Sequence, residues 1–128
     1  MKLLIDTHLL LWAAQGSKYL PSAAYQLMRV QANELYFSVA SLWEIVIKRS
    51  LDRDDFQVDV RVFRRGLLDN GYHELSILSE HAVAIETLPP IHKDPFDRLL
   101  VAQAISEGMT LLTADARVAD YPAPIRKV

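Results

Sequence analysis

Cysteine is absent from these 128 residues. That excludes disulfides and thiolate metal sites. No apolar run reaches the length of a membrane span, because Asp6 breaks the N-terminal one. The first residues also lack the pattern of a cleavable signal, so the chain reads as cytoplasmic and unattached to a membrane. Positive charge is not in excess: 14 Lys and Arg against 16 Asp and Glu give a net charge of −2. A protein that grips nucleic acid by bulk charge is basic. If RNA or DNA is handled here, local basic patches and metal ions must offset the acids. There is no repeat, low-complexity tract or interdomain linker. Hydrophobic residues make up 51% and charged residues 23%, the balance of a soluble globular protein. The expectation is one domain, residues 1–128, large enough to bury a core.

Acids in apolar surroundings are the informative feature. Asp6 follows Leu3-Leu4-Ile5 and precedes Leu9-Leu10-Leu11-Trp12. Glu44 lies within Leu42-Trp43-Glu44-Ile45-Val46-Ile47, Asp97 heads Leu99-Leu100-Val101-Ala102, and Asp115 follows Leu111-Leu112. Carboxylates avoid such surroundings unless something pairs with them. A hard divalent cation is one ordinary way to keep several together.

The pattern predicts strands at Lys2–Asp6, Leu35–Ser38, His73–Ile77, Thr110–Leu112 and Ile125–Lys127. Helices are expected from Thr7 to Gln15, Pro21 to Ala32, Ser41 to Arg49, Gln57 to Asp69 and Pro95 to Glu107, with a short one over Ser79–Thr87 capped by the serine. Leu51–Asp55 reads as a charged loop, and Pro89-Pro90 forces an extended one. Strands alternating with helices make an α/β protein, a parallel sheet covered on both faces.

Open α/β sheets bind ligands beyond the carboxyl ends of strands, where strand order reverses. Asp6 ends the first strand and Asp115 lies just past the fourth, so a sheet winding outward from the first strand turns both acids to one crevice. Asp94 before Pro95 is a natural N-cap. Asp97 then shares a face with Leu100, Val101 and Ala104 and sits atop the stripe that packs on the sheet. The alternative is that Asp97 only complements the helix dipole. Glu44 shares a thin polar stripe with Ser41 and Lys48; it either lines a cleft or pairs with Lys48 at the favoured spacing.

Four ordered blocks resemble the PIN-domain ribonucleases, specifically VapC-type toxins of type II toxin–antitoxin pairs. They are Leu4-Ile5-Asp6-Thr7-His8, Ser41-Leu42-Trp43-Glu44-Ile45, His92-Lys93-Asp94-Pro95-Phe96-Asp97-Arg98-Leu99-Leu100-Val101-Ala102-Gln103-Ala104, and Leu112-Thr113-Ala114-Asp115. The resemblance implies a three-layer α/β/α sandwich with a five-stranded parallel sheet in the order 3-2-1-4-5. It also implies a Mg²⁺ or Mn²⁺ site built from Asp6, Glu44, Asp97 and Asp115, with Thr113 as supporting hydroxyl beside Thr7 and Asp94. Homodimers, and inhibition by an antitoxin encoded alongside, are typical of such toxins. The expected reaction is hydrolysis of an RNA phosphodiester by water activated at the metal, leaving 5′-phosphate and 3′-hydroxyl ends.

Lys48, Lys93 and Arg98 are the candidates to steer a substrate phosphate, although Arg98 could instead pair with Asp94 or Asp97. Arg61, Arg64 and Arg65 lie opposite Val60, Phe63 and Leu67, as a solvated helix face or as a contact for RNA or an acidic antitoxin segment. His8, His73, His81 and His92 show no metal-ligand spacing; His92 reads as structural, or as a residue that orients backbone or meets substrate. A phosphoacceptor receiver domain would need an aspartate after the third strand, and Ile77 stands there. The remaining alternatives are a catalytically silent PIN module serving as scaffold, and a PIN nuclease of RNA processing or DNA cleavage.

Overall fold

A computed structural model describes residues 1–128. Strands β1 (Lys2–Ile5), β2 (Glu34–Ser38), β3 (His73–Leu75), β4 (Thr110–Thr113) and β5 (Ile125–Lys127) form one sheet. All pairings are parallel, in the order β3-β2-β1-β4-β5. The helices are α1 (Thr7–Gln15), α2 (Ser22–Arg29), α3 (Val39–Ser50), α4 (Val60–Asp69), α5 (Ser79–Ala84), α6 (Pro95–Glu107) and α7 (Ala116–Ala119). Single 3₁₀ turns cover Asp54–Phe56 and Ile85–Thr87.

Two cores lie on the two faces of the sheet, and strand alternation divides residues between them. Leu3 and Ile5 of β1 and Leu112 of β4 join Leu9, Leu10, Phe63 and Leu67 from α1 and α4. Their neighbours Leu4 and Leu111 point the other way, onto Leu100, Val101 and Ala104 of α6 and Val118 of α7. β1 and β4 are central and covered on both faces, hence their unbroken apolar runs. α3 serves both sides, with Ala40 in one core and Ile45 in the other.

The expected three-layer sandwich and strand order are found, with local corrections. The first strand stops at Ile5, and Asp6 caps α1 by accepting from the His8 N–H. α2 ends at Arg29, three residues before the expected Ala32, and β3 stops at Leu75. α4 begins at Val60, after a cap by Asp59 rather than at Gln57. Ser79 does not cap α5: Leu78 stands at the N-cap and makes no side-chain cap, while the His81 Nδ1 accepts the Leu78 N–H at 3.0 Å. The short helix α7 was not foreseen, and its N-cap is Asp115.

Candidate metal centre

The parallel sheet puts the carboxyl ends of β1 and β4 side by side, with Ile5 paired to Leu112. Helices start directly above both strands. Asp6, Asp94 and Asp115 are N-caps of α1, α6 and α7, and they divide their oxygens alike. In each, Oδ1 accepts helix N–H groups: His8 for Asp6, Phe96 and Asp97 for Asp94, Arg117 and Val118 for Asp115. Each Oδ2 is left to meet another side chain. That of Asp6 takes the Thr113 hydroxyl at 2.5 Å, that of Asp94 takes Lys48 Nζ at 2.9 Å, and that of Asp115 lies 3.4 Å from His92 Nε2. Capping acids are favoured at helix N-termini by the orphan N–H groups and the dipole. Here the same preference fixes three carboxylates around one opening.

Asp6, Glu44, Asp97 and Asp115 all line a single pocket of about 400 Å³, together with Asp94, Lys48, His8, His92 and Arg53. The cleft and pairing readings of Glu44 both hold. The residue is 2% exposed, and its Oε2 takes Lys48 Nζ at 2.6 Å. The other oxygen, Oε1, is buried without a hydrogen-bond partner. Thr7 lies near enough to temper the Glu44 pKa but spends its hydroxyl contact on Ser41 Oγ at 2.7 Å. Asp94 both caps α6 and anchors Lys48, and Asp97, one turn into α6, faces the pocket.

Electrostatics follow from this crowding. Burial pushes the Asp97 carboxyl up to about 8, with help from the charges of Asp6, Asp94 and Glu44. Burial likewise raises Asp6, against the Thr113 hydrogen bond, and Glu44, against Lys48. Asp94 goes the other way: burial is outweighed by Lys48 and by the N–H groups of Asp97 and Phe96. Burial pulls Lys48 down, yet Glu44 and Asp94 together hold its pKa above the usual lysine value. Five carboxylates share the pocket with one lysine and one arginine, a set short of positive charge. An unpartnered buried carboxylate oxygen in such company suits a hard divalent cation with oxygen ligands.

The phosphate-steering candidates divide. Lys48 is in the pocket but tied to two acids, and Lys93 is exposed and does not line it. Arg98 is a correction. Its guanidinium turns away from the opening, donating to the carbonyls of Pro89 at 3.0 Å and Ile85 at 3.3 Å and to Tyr121 Oη at 3.1 Å. The Ile85 and Pro89 carbonyls, which also accept the Leu88 and Ile91 N–H groups, offer their second lone pairs to this planar fork of donors. It pairs with neither Asp94 nor Asp97. Arg53, which sequence reasoning passed over, is the cation at the rim, 3.5 Å from Asp55. His92 was also undervalued: its Nε2 is 3.2 Å from Asp97 Oδ2. The available signal was its position two residues before a capping aspartate, where the chain folds back over the helix start.

Residues 3–124 match the family model for the PIN domain. The chain belongs to the PIN-domain family. It is 28% identical over 121 residues to the ribonuclease VapC22 of Mycobacterium tuberculosis, covering 94% of this chain and 92% of the relative. Among solved structures, VapBC2 from Rickettsia felis, bound to a DNA fragment from its promoter, superposes with a TM-score of 0.73 at 16% identity, covering 99% and 98% of the two chains. A toxin–antitoxin complex from Klebsiella pneumoniae gives 0.64 at 16% identity, covering 98% and 99%. At such identities these structures speak to the fold alone. No helix is long and apolar enough to cross a membrane.

Proposed function

We propose that this PIN domain is a divalent-metal-dependent endoribonuclease, acting in the cytoplasm as the toxin of a toxin–antitoxin pair. The observation that carries the reading is Glu44 Oε1, buried and unpartnered in a pocket shared with Asp97, whose carboxyl is pushed up to about 8 by burial and by the charges of neighbouring acids. Asp6, Glu44, Asp97 and Asp115 would hold Mg²⁺ or Mn²⁺. A bound ion of this kind supplies an activated water and neutralises charge on phosphoryl and leaving oxygens.

The chain's own residues do the rest. Thr113 fixes the rotation of Asp6, and Thr7 with Ser41 fills the floor beside Glu44. Lys48 neutralises Glu44 Oε2 and Asp94 Oδ2, which leaves Oε1 as the unpaired donor of Glu44. Arg53 at the rim, with an exposed guanidinium, is the better placed cation to meet an approaching RNA phosphate. Lys48, pinned between two acids, would reach a phosphate only by leaving them. The ribonuclease name of the Mycobacterium relative and the toxin–antitoxin complexes among the structural neighbours support RNA as substrate and a cognate antitoxin protein as partner. A homodimer is the assembly we expect.

The test is cleavage of single-stranded RNA with Mg²⁺, with Mn²⁺ and with chelator, followed by analysis of the ends. Metal-dependent cleavage leaving 5′-phosphate and 3′-hydroxyl is expected. A 2′,3′-cyclic phosphate, which requires the ribose hydroxyl as nucleophile, would refute the mechanism. Growth arrest on expression, relieved by co-expression of the neighbouring gene, tests the toxin role.

A further inference from the structure

His92, Asp97 and Asp115 place one donor atom each within 4.8 Å of one another. At first sight this is a histidine–carboxylate metal triad. We infer the opposite role: His92 is a positioning residue, a proton-bearing donor set between Asp97 and Asp115, and not a ligand of the ion. The inference rests on reading the pocket as a metal centre.

The tautomer decides the matter. His92 Nδ1 accepts the Asp94 backbone N–H at 3.2 Å. A backbone N–H has no acceptor capacity, so Nδ1 must present its lone pair there and the ring proton sits on Nε2. A metal-binding imidazole has the reverse arrangement, with a lone pair on the ligating nitrogen and the other nitrogen donating its proton. Here the nitrogen facing the acids is the one with the proton. Turning the ring over would leave the Asp94 N–H facing carbon.

The loop that carries His92 is fixed from both sides. Tyr121 Oη accepts the His92 N–H at 2.9 Å and donates back to the His92 carbonyl at 3.3 Å. Arg98 in turn donates to Tyr121 Oη and to the Pro89 carbonyl, so the cage around its guanidinium holds the segment leading to His92. Tyr121 is 3% exposed. Asp97 belongs to α6 and Asp115 to the cap of α7. Nε2 lies 3.2 Å from Oδ2 of one and 3.4 Å from Oδ2 of the other, ion-pair distances to both. It draws both oxygens to one point and sets the bite of the carboxylate pair.

The experiment uses the full chain and manganese itself. Mn²⁺ affinity is measured by electron paramagnetic resonance for the wild type, His92→Ala, His92→Gln and Tyr121→Phe, with circular dichroism to confirm folding. ¹⁵N-histidine NMR is recorded with and without Mg²⁺. Loss of an orienting partner beside a metal ligand lowers affinity by about tenfold or more, and that is the expectation for His92→Ala. It should lower kcat and leave the KM for RNA unchanged. Gln carries an N–H at the position of Nε2 and is expected to recover most of the affinity; Tyr121→Phe should fall between. The His92 Nε2 proton should persist with Mg²⁺ present. Loss of that proton on metal addition, or undiminished Mn²⁺ affinity in a folded His92→Ala, overturns the inference alone. A wild type that binds no Mn²⁺ overturns the metal-centre reading beneath it.

Discussion

Thr113 Oγ1 donates to Asp6 Oδ2 at 2.5 Å across 107 residues of sequence, and the same oxygen accepts the Asp115 N–H at 3.1 Å. One hydroxyl at the end of β4 thus orients two of the four acids. Both of its partners lie at starts of helices that rise from adjacent strands, so the contact is a direct product of the β1–β4 register. Asp6 is 5% exposed, and without Thr113 its Oδ2 loses its hydrogen bond. Thr113→Val keeps the shape and removes the donor. Stability should fall by about 1–3 kcal/mol, the cost of leaving a buried polar group unsatisfied, and Thr113→Ser should restore most of it. Chemical denaturation of the metal-free protein measures both. An unchanged midpoint for Thr113→Val would show that water replaces the hydroxyl.

Stability of the metal-free protein should fall as pH rises between 3.8 and about 8, the ordinary and the folded-state values of Asp97. Asp97 ordinarily titrates near 3.8 but is pushed up to about 8 in the folded chain. The folded state therefore binds this proton more tightly than the unfolded state does. The stabilisation is complete below 3.8 and is lost as pH rises through about 8. Asp6 and Glu44 are raised by burial and act in the same direction. A divalent ion must displace the proton, so its stabilising effect should be larger at about pH 8.5 than at about pH 6. Thermal melts at both pH values, with and without Mn²⁺, give the comparison. Asp97→Asn should flatten the metal-free pH profile and raise Tm at the higher pH by roughly 4 °C per kcal/mol of relieved repulsion.

The sheet was legible because its central strands are short, apolar on both faces and set between helices with recognisable ends. Asp94-Pro95 and Gly108 bracket α6, and Gly108 takes a φ of 65° that suits a residue without a side chain. The convergence of Asp6 and Asp115 followed from strand order alone. What escaped was what the side chains of the loops do. α5 starts at Leu78 with the His81 ring accepting the Leu78 N–H, where a serine cap was the expectation. Arg98 looked like a crevice cation because Asp94 and Asp97 are its sequence neighbours. The bend at Pro89-Pro90 offers it carbonyls instead, and tertiary geometry outweighs proximity in sequence. α7 is a single turn, too short to leave a periodic signal, although its aspartate cap was already suspected for another reason.

Lys48 gives the pocket its internal counter-charge, bridging Glu44 and Asp94 at 2.6 and 2.9 Å with a side chain only 14% exposed. Lys48→Met keeps an unbranched apolar side chain but removes the ammonium that lies over the Phe56 and Phe96 rings, and it leaves buried Glu44 and half-buried Asp94 without a cation. Removing one member of such a network costs about 3 kcal/mol. The loss should be smaller in millimolar Mn²⁺, since the ion supplies positive charge to the same acids. Paired denaturation curves with and without metal decide this. A loss unaffected by Mn²⁺ would mean that Lys48 and the ion do not share Glu44.

Asp6→Asn separates the chemistry of the site from its architecture. The amide oxygen can still accept the His8 N–H that starts α1. The amide nitrogen can donate to Thr113 Oγ1 once that hydroxyl rotates, so both local hydrogen bonds survive, the second with donor and acceptor exchanged. The substitution also removes one charge from a pocket where burial already disfavours it. Tm of the metal-free variant should therefore match or exceed that of the wild type. Cleavage of RNA should fall by more than the 100-fold or so that losing an outer partner of a metal site produces, and the stabilisation by Mn²⁺ should shrink with it. A variant that melts like the wild type, gains nothing from metal and leaves RNA intact has lost the ion-holding carboxylate and kept everything else. If instead it cleaves normally, Asp6 is a helix cap and the ion belongs to the other three acids.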